Sequence, residues 1–403
     1  MRVLFLSGWY PYPPDNGSRI RIFNLIKQLS KEHDITLLSF SRDGQVIEDR
    51  LKVMRQYCST VRAVPLAPFK PGSLHSILGL FSSRPRCFVD TYNREMQGLV
   101  ERTRREGDFS VVIASQIDTA PYAATLEGLP RIFEEVELAT LREQHTSQSR
   151  IGRRLRYGLT WWKTRRFTAH LLRQFDGCTV VSPQERANVL SLVPNCQRVV
   201  VVPNGVDLDR YQGHFGAPKP DTLVFPGALT YSANLDAMAF FLHQAFPLVK
   251  ARHPEAILRI TGKTDSVPVD RLPLDESVIL TGYLNDVRPT VAQSWACVVP
   301  LRVGGGTRLK ILEAMALSTP VVSTSKGAEG LEVVPGEHIL IADEPTEFAD
   351  AVLRLLDDPA LRAKLATNGQ RLVESRYGWE VIGEKLDQLL RKVVEGYKKR
   401  GVK

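Results

Sequence analysis

The sequence predicts two doubly wound α/β domains that face each other, and three observations support this. Short apolar runs alternate with helical stretches along the chain, which is the pattern of parallel-sheet α/β units. A stretch rich in glycine, proline and aspartate separates two sets of such runs. The length of 403 residues also suits two domains better than one.

The predicted strands are near-continuous in valine, isoleucine and leucine, as expected for strands covered on both faces. In the first half they are RVLFLS, DITLLSF, VVIAS, RIFEE, GCTVVS and RVVVVP. In the second half they are TLVFPG, AILRITG, SVILTG, ACVVPL, PVVST and HILIA. The segment VPNGVDLDRYQGHFGAPKPD between the sets is typical of an interdomain linker. The apolar spacing in WEVIGEKLDQLLRKVVEGYKKR predicts one long amphipathic helix at the end.

These elements divide the chain into an N-terminal domain, 1–203, a C-terminal domain, 204–380, and a terminal helix, 381–403. Ligands of doubly wound sheets bind beyond the carboxyl ends of the strands. The cleft between the two domains is therefore the predicted site.

The composition narrows the class of protein. A hydrophobic content of 43% and a charged content of 24% are typical of a soluble globular protein. No apolar run approaches the roughly 20 residues that a membrane helix needs. The opening MRVLFLSGWYPYPPDNG resembles a first strand more than a secretory signal. Five scattered cysteines favour reduced thiols, and we expect a cytoplasmic protein.

The net charge of +9 is unevenly distributed. Residues 1–203 contain 29 lysines and arginines against 19 acidic residues, whereas residues 204–403 contain 24 against 25. A basic half indicates an anionic partner, which can be a membrane surface, a phosphorylated substrate or nucleic acid.

A glycine turn joins a predicted strand to a predicted helix in VVPLRVGGGTRLKILEAMALSTPVVST, residues 298–324. Gly304, Gly305 and Gly306 follow the strand, and the helix is predicted to begin at about Thr307. The first amides of a helix have no partner within it and carry partial positive charge. Glycines let an anion approach that backbone closely.

Two cations and one acid follow the glycines. Arg308 and Lys310 oppose the helix dipole, which is unfavourable unless a negative ligand binds there. The alternative is an ordinary strand-to-helix turn with basic surface residues. Glu313 lies on nearly the same side of the helix as Gly306 and Lys310, and a carboxylate there can accept hydrogen bonds from vicinal ribose hydroxyls. A phosphate site beside a ribose site indicates a nucleotide.

At this point a family resemblance is clear. The segment GGGTRLKILEAMALSTPVVSTSKGAEGL resembles the nucleotide-sugar signature of the retaining glycosyltransferase family 4, which has the GT-B fold. Four other segments resemble the opening strand and glycine loop, the interdomain linker, the start of the donor domain and the terminal helix that crosses back to the first domain. They are PYPPDNGSRIRIFNLIKQLSKEHDITLLSF, VVVVPNGVDLDRY, LVFPGALTYSANLDAMAFFL and YGWEVIGEKLDQLL.

The resemblance implies roles for individual residues. Glu313 matches the family's ribose-binding glutamate, and Gly306 matches the glycine whose amide approaches the diphosphate. Gly17 matches the first-domain glycine near the donor phosphate, and Tyr283 and Leu284 match the segment that borders the base. The other members of the predicted donor set are Gly227, Lys263, Gly304, Gly305 and Thr307.

The sequence departs from the family pattern at three places. Gly305 stands where the family often has a second glutamate that contacts the donor sugar. The segment GALTYSANLD lacks the usual arginine and lysine, so we expect Arg308 and Lys310 to stabilise the diphosphate instead, the alternative being solvated basic residues. Ser115 and Gln116 occupy the region where an active-site histidine is common.

The predicted acceptor side comes from the first domain. Glu135 or Glu137 can position an acceptor hydroxyl, and the alternative is a carboxylate at a helix start. Arg19, like Arg21, lies at a helix start against the dipole, which favours contact with an anion. Asn16 and Gln116 complete the set.

No metal or other cofactor is predicted, so a nucleoside diphosphate sugar is the co-substrate. The carboxylates of DLD at 207–209 have the spacing of a metal-binding pair, but such pairs are common in turns. Catalysis would then depend on helix amides and basic side chains.

A basic helix is predicted in RIGRRLRYGLTWWKTRRFTAHLLRQ, residues 150–174, which has eight lysines and arginines and no acid. Such a helix, interrupted by Trp161 and Trp162, can lie on an anionic bilayer. A solvated or interdomain helix is the alternative. Nucleic acid is not favoured because the chain lacks a recognisable binding module.

The sequence thus predicts a retaining glycosyltransferase of polysaccharide biosynthesis, acting on a glycan or lipid-linked acceptor, cytoplasmic and peripheral on the inner face of the membrane. Two alternatives remain open, a non-catalytic nucleotide-binding protein of the same fold and a sugar-nucleotide epimerase.

Overall fold

The computed structural model describes residues 1–42, 44, 48–138, 151–304 and 308–401. It divides into two compact units. The first contains Met1–Pro203 and Ile382–Lys403, and the second contains Asn204–Val381.

Among its described residues, the first unit contains a seven-stranded parallel sheet in the order β3-β2-β1-β4-β5-β6-β7. The strands are β1 (Arg2–Ser7), β2 (Asp34–Ser41), β3 (Thr60–Pro65), β4 (Val111–Ser115), β5 (Arg131–Glu134), β6 (Gly177–Val180) and β7 (Val199–Val201). All of these except β3 were predicted. Strand β3 lies at the sheet edge and alternates buried with more exposed residues, so it lacks the continuous apolar run of the others.

Helices connect these strands and cover the sheet. They are α1 (Gly17–Leu29), α2 (Glu48–Met54), α3 (Leu74–Leu78), α4 (Arg86–Asp90), α5 (Arg94–Glu106), α6 (Ala120–Ala124), α7 (Ile151–Leu172) and α8 (Pro183–Leu192). The core between helices and strands is apolar, with Phe40, Ile113 and Phe133 almost fully buried. The predicted basic helix is α7.

Within its described residues, the second unit has a six-stranded parallel sheet in the order β10-β9-β8-β11-β12-β13. The strands are β8 (Lys219–Pro226), β9 (Ile257–Thr261), β10 (Val278–Gly282), β11 (Ser294–Val299), β12 (Val321–Ser323) and β13 (Leu340–Ile341). All six were predicted, and their side chains form a second, separate core.

The helices of the second unit follow the same alternation. They are α9 (Leu208–Tyr211), α10 (Ser232–Phe240), α11 (Phe246–Arg252), α12 (Arg288–Ala292), α13 (Leu309–Ala316), α14 (Pro345–Asp357) and α15 (Pro359–Arg376), with a π-helical turn at Phe241–Ala245 and a 3₁₀ turn at Val269–Arg271. The predicted linker folds into this unit, because its Val206 amide donates a hydrogen bond to the Tyr377 carbonyl.

The last helix, α16 (Trp379–Gly401), confirms the predicted terminal helix. From Ile382 onward it belongs to the first unit. There His33 hydrogen-bonds Asp387 at 2.6 Å, and a Cβ on Gly177 would approach Val393 to 3.0 Å. Buried aliphatic residues of α16 therefore complete the core of a unit that begins almost 400 residues earlier in the sequence.

Strand order reverses once in each sheet, between β1 and β4 and between β8 and β11. Such a reversal opens a crevice at the carboxyl ends of the strands, because the connecting helices leave on opposite faces. Within each unit, these two points are where ligand-binding residues are expected. No helix in the described part of the chain is long and apolar enough to span a bilayer.

Candidate functional site

In the second unit, Gly304 follows β11 and lies beside residues that follow β8. Gly304 has φ +100, a left-handed conformation that favours glycine, and an added Cβ would lie 3.3 Å from Ala233 Cβ and the Tyr231 hydroxyl. Gly305, Gly306 and Thr307 lie outside the described residues. Helix α13 begins at Leu309, two residues later than the sequence predicted, with Arg308 at its N-cap position.

Arg308 is only 6% exposed, so its side chain is buried in the protein. Its Nη2 donates to the Gly304 carbonyl at 2.6 Å and to the Lys326 carbonyl at 3.4 Å. These charge-assisted hydrogen bonds tie the start of α13 to the backbone at Gly304 and at Lys326. This geometry gives Arg308 a positioning role in the turn. Its burial does not fit the alternative of a solvated surface residue, and its predicted role in stabilising a diphosphate stays a prediction.

Lys310 points to the end of β8. Its Nζ donates to Asn234 Oδ1 at 2.9 Å and lies 3.9 Å from the centre of the Phe225 ring. Burial lowers the pKa of this ammonium to about 7, with the charge of Arg308 acting in the same direction. Lys310 is therefore a cation that the protein only partly compensates, and an arriving anion would favour its charged form.

Gly227 makes room for this arrangement. A Cβ at that position would lie 2.8 Å from Lys310 Nζ and 2.8 Å from Asn234 Nδ2. The absence of a side chain thus lets the lysine and the amide approach the end of β8. The structure brings together Gly227, which the sequence assigned to the donor set, and Lys310, which it assigned to stabilising the diphosphate.

Glu313 lies one turn beyond Lys310 on α13 and is partly buried. Burial raises the pKa of its carboxyl, whereas a hydrogen bond from the Tyr211 phenol and the charges of Arg210 and Lys310 oppose that rise. The Tyr211 hydroxyl thus orients the carboxylate. Sequence analysis missed Tyr211, although its place in the linker that resembles the family's was the available signal.

The rim of the same crevice is formed by the ends of β9 and β10. Gly262 has φ +100, and its amide donates to the Gly282 carbonyl at 2.9 Å. Lys263 Nζ lies 5.8 Å from the centre of the Tyr283 ring, which is 67% exposed. An exposed aromatic ring beside a lysine is suited to stacking on a planar, electron-rich ligand. Leu284 is partly buried next to it.

In the first unit, the predicted residues near α1 are engaged within the protein. Asn16 is the N-cap of α1, and its Oδ1 accepts from the Arg19 amide at 3.1 Å. Arg19 Nη1 pairs with Asp15 at 3.0 Å, so the anion that its unfavourable position suggested is a neighbouring side chain. Gly17 has no described atom within 4 Å of where its Cβ would be, which leaves open space there.

Gln116 and Glu135 meet at the carboxyl ends of β4 and β5. Gln116 Nε2 donates to Glu135 Oε2 at 2.8 Å and to the Ser18 hydroxyl at 3.0 Å. Both residues have left-handed backbones, with φ 69 and φ 59. Non-glycine residues in this conformation are uncommon and cluster at functional sites. Burial raises the pKa of Glu135 to about 7, opposed by the charge of Arg21.

Beneath this pair lies a buried ion pair that sequence analysis missed. Arg21 Nε donates to Glu134 Oε1 at 2.7 Å, and both side chains are fully buried. Ser115 Oγ donates to Glu134 Oε2 at 2.6 Å. Glu134 therefore fixes the end of β5. Arg21 pairs with this internal carboxylate, whereas its position at a helix start suggested an external anion.

The remaining predictions fall outside these clusters. Glu137 is exposed, and the chain beyond residue 138 is not described up to 151. Asp207 is the N-cap residue of α9 and Asp209 lies in its first turn. In the described ranges, no group of three or more His, Cys, Asp and Glu residues is arranged to hold a metal ion.

Two doubly wound units, with a lysine and a glutamate beside the switch point of the second, have the architecture of the GT-B fold. Two family models match the chain, Glycosyltransferase Family 4 over residues 15–210 and Glycosyl transferases group 1 over residues 220–358. Together they cover most of the sequence. The chain belongs to glycosyltransferase family 4.

Individual relatives agree with this membership. One is the GDP-mannose-dependent monoacylated alpha-(1-6)-phosphatidylinositol monomannoside mannosyltransferase of Corynebacterium glutamicum, 30% identical over 162 residues. That match covers 37% of this chain and 42% of the relative, so it spans less than half of that enzyme. An uncharacterized 44.6 kDa protein in the cps region of Klebsiella pneumoniae is 26% identical over 389 residues, covering 93% of this chain and 96% of that protein.

A solved structure has the same fold over nearly the full length. Alr3699/HepE of Anabaena, in complex with UDP and glucose, superposes with a TM-score of 0.66 and 16% sequence identity. The match covers 97% of this chain and 100% of that chain.

Proposed function

We propose that the protein is a retaining glycosyltransferase that moves a sugar from a nucleoside diphosphate donor to a glycan or lipid-linked acceptor. The observation that carries the proposal is the arrangement on α13: Lys310 lies at the end of β8 beside Gly227, and Glu313 follows on the same helix. A diphosphate near Lys310 and a ribose near Glu313 would be bound by one rigid element.

The proposed reaction is a same-face substitution at the anomeric carbon of the donor sugar. The acceptor oxygen forms a bond to that carbon as the bond to the phosphate oxygen breaks. The acceptor proton passes to the leaving phosphate, so no separate general base is needed. Lys310 and the amides of the turn stabilise the negative charge of the diphosphate, and Arg308 holds the turn.

The acceptor would bind in the first unit, where Glu135 and Gln116 present polar atoms at the strand ends. A raised pKa keeps a share of Glu135 protonated near neutral pH, so it can donate as well as accept a hydrogen bond to a sugar hydroxyl.

The base of the donor is not fixed by these residues. The Corynebacterium relative is GDP-mannose-dependent, and the Anabaena protein was solved with UDP and glucose. We therefore propose a nucleoside diphosphate sugar as the donor class and leave the base to experiment. We also propose a cytoplasmic enzyme of polysaccharide biosynthesis, attached peripherally to the inner face of the membrane.

A transfer assay tests the proposal. The purified protein is incubated with UDP-, GDP- and ADP-sugars, with and without an oligosaccharide or lipid-linked acceptor, in the presence and absence of EDTA. We expect one donor class to be consumed, an α-configured product from an α-configured donor, and equal rates with EDTA. Inversion at the anomeric carbon would contradict the retaining mechanism. Donor binding without any turnover would indicate a non-catalytic protein, and an altered nucleotide sugar without transfer would indicate an epimerase.

A further inference from the structure

Large apolar side chains are exposed in a short segment of the first unit, which we call the apolar segment 74–81. Phe81 is 88% exposed, and Leu74 is 69% exposed. The other exposed apolar members are Ile77, Leu78 and Leu80. Single exposed apolar residues are ordinary, but five within eight positions form a patch that normally marks an interaction surface.

The backbone holds this segment with its apolar side chains outward. Helix α3 is capped by Ser73, and its small residue Ser76 is the one that is buried. Gly79 follows, and a Cβ there would lie 2.9 Å from the Arg86 backbone, so the chain packs closely on α4 at this point. The small residues Ser76 and Gly79 are thus buried, whereas Ile77, Leu78 and Phe81 are exposed.

Helix α7 contacts the same segment through a buried lysine. Lys163 is 7% exposed, and its Nζ donates to the Leu80 carbonyl at 2.6 Å and to the Gly79 carbonyl at 3.3 Å. This contact fixes the apolar segment 74–81 beside α7. Helix α7 contributes exposed apolar residues of its own, Leu155, Leu159 and Trp162, whose spacing places them on one side of the helix.

Arginines border these apolar residues. A groove of about 660 Å³ is lined by Arg84, Arg165, Arg166 and Arg173, together with Trp162. The Arg166 guanidinium lies 4.9 Å from the Trp162 ring centre, and Arg84 lies 6.0 Å from that of Phe167. Among the described residues, none of these four arginines has a carboxylate within ion-pair distance. We call them the arginine cluster.

The neighbouring acids do not neutralise this cluster, since Asp118, which lines a cavity with Arg84, pairs with Arg42. Asp90, at the end of α4, accepts hydrogen bonds from the Ser73 hydroxyl and from the Lys70 amide at 2.8 Å. Its pKa is lowered by these bonds, so it stays ionised while serving the start of α3. Positive charge beside exposed leucine, phenylalanine and tryptophan matches the interface of an anionic bilayer, where apolar side chains enter the acyl boundary and arginines meet phosphates.

We propose that this surface docks the protein on an anionic phospholipid bilayer. The apolar segment 74–81 and Trp162 enter the interface, and the arginine cluster binds headgroup phosphates. The sequence pointed to residues 150–174 as a whole, whereas the structure adds segment 74–81 and Arg84, which no charge pattern singled out. The delivery of a lipid-linked acceptor to this unit rests on the proposed function, but the attachment itself does not require catalysis.

Sedimentation with vesicles tests the proposal, using the full chain without donor or acceptor. The vesicles are phosphatidylcholine alone or with 30% phosphatidylglycerol, at low and high salt. We expect binding to the mixed vesicles at low salt and release at high salt. The variant Arg165→Gln/Arg166→Gln/Arg173→Gln should bind about 100-fold more weakly, since each arginine near an anionic surface contributes roughly fivefold. Ile77→Ser/Leu78→Ser/Phe81→Ser should lose at least about tenfold.

Matched controls come from the second unit. Arg271→Gln/Arg354→Gln/Arg371→Gln removes the same charge from exposed positions, and Leu248→Ser/Leu274→Ser/Val334→Ser removes three exposed apolar side chains. Both should bind vesicles like the wild type. Thermal unfolding of every variant checks that it is folded.

Three results would overturn the proposal. The first is no binding of the wild type to mixed vesicles at low salt. The second is equal loss in the control variants. The third is vesicle binding that survives the apolar substitutions, because the apolar segment 74–81 would then not enter the interface. Nucleotide calorimetry on the same samples separates sugar transfer from membrane attachment. Vesicle binding without nucleotide binding contradicts the proposed transfer reaction alone, and nucleotide binding without vesicle binding contradicts the membrane attachment alone.

Discussion

At the scale of single residues, the candidate site depends on ionisable side chains whose charged forms are disfavoured by burial. Lys310, Glu313 and Glu135 are each removed from water enough to shift their pKa toward the neutral form. Such groups cost stability in the free protein and respond to a bound partner of suitable charge. Three predictions follow from their individual environments.

The first prediction concerns the ribose contact. Glu313→Ala should weaken nucleotide binding by about 1.5–3 kcal/mol, because a hydrogen bond to a charged group is lost. Isothermal titration calorimetry with the preferred nucleoside diphosphate measures it. Tyr211→Phe is the matched variant: it keeps the carboxylate but removes its orienting phenol, so a smaller loss is expected. Unchanged affinity in a folded Glu313→Ala variant would exclude the ribose role.

The second prediction concerns proton uptake at Lys310. Its pKa is about 7 in the free protein, so at pH 8 most molecules have a neutral amine, and a bound diphosphate would raise the pKa and draw in a proton. Calorimetry at pH 8 in buffers of different ionisation enthalpy should show uptake for nucleoside diphosphates but not for nucleosides. Lys310→Met should abolish it. The same uptake in that variant would assign the proton to another group.

The third prediction concerns the stability contributed by Glu135. Its folded-state pKa of about 7 lies above the ordinary value of 4.5, so the folded state binds the proton more tightly than the unfolded state. Stability from this group is present below pH 4.5 and is lost as the pH rises to about 7. Glu135→Gln should therefore be more stable than the wild type at pH 8, by on the order of 2 kcal/mol, and about equal at pH 4. Urea unfolding at both pH values measures the difference, and a constant gap would contradict it.

At the scale of elements, the position of α13 relative to the end of β8 decides the geometry of the candidate site. Arg308 ties the start of α13 to the Gly304 and Lys326 carbonyls, so the positions of Lys310 and Glu313 follow from the helix direction. Gly227 then decides how closely Lys310 approaches β8. Small changes in backbone at this junction should alter the anion site without altering the core.

The fourth prediction tests that junction. Gly227→Ala places a Cβ 2.8 Å from Lys310 Nζ, and the flexible lysine should move away. We expect nucleoside diphosphates to lose affinity about tenfold, while nucleosides bind as before, measured by competition calorimetry. Gly72→Ala, where a Cβ meets no described atom, is the matched control. An unchanged preference for the diphosphate would place the charge interaction elsewhere.

At the scale of the whole molecule, the chain ends by returning to the unit in which it began. Helix α16 buries Ile382, Leu386, Leu390 and Val393 completely within the first unit's part of the structure. A fully buried aliphatic side chain contributes about 1.5–3 kcal/mol, so these four side chains are comparable to the total stability of a domain.

The fifth prediction follows from this return. Truncation after Val381 should unfold the first unit while the second retains its parallel sheet, because only the first loses core residues. Limited proteolysis with mass spectrometry should show cleavage throughout residues 1–203 and a protected fragment from the second unit. Truncation after Tyr397, which keeps the buried positions, should resemble the full chain. Equal protection of both units in the first truncation would contradict the packing role of α16.

The sequence by itself determined the fold class, twelve of the thirteen strands in the described ranges and the terminal helix. Local patterns in the sequence predict these features, namely continuous apolar runs for strands and helical periodicity for helices. Strand β3 was not predicted, because an edge strand keeps one partly solvated side and its sequence therefore has no continuous apolar run. The donor roles of Gly306 and Glu313, and the acceptor roles of Glu135 and Glu137, remain predictions.

Only the tertiary structure decided which charged groups are already paired inside the protein and which are not. Arg21 meets Glu134 across 113 residues, Tyr211 meets Glu313 across the second unit, and Arg308 turns inward to two carbonyls. No local sequence pattern predicts these contacts, because the strand order brings segments that are far apart in the sequence to the same sheet edge. The same is true of the apolar segment 74–81, because its composition alone does not indicate that its large side chains are exposed.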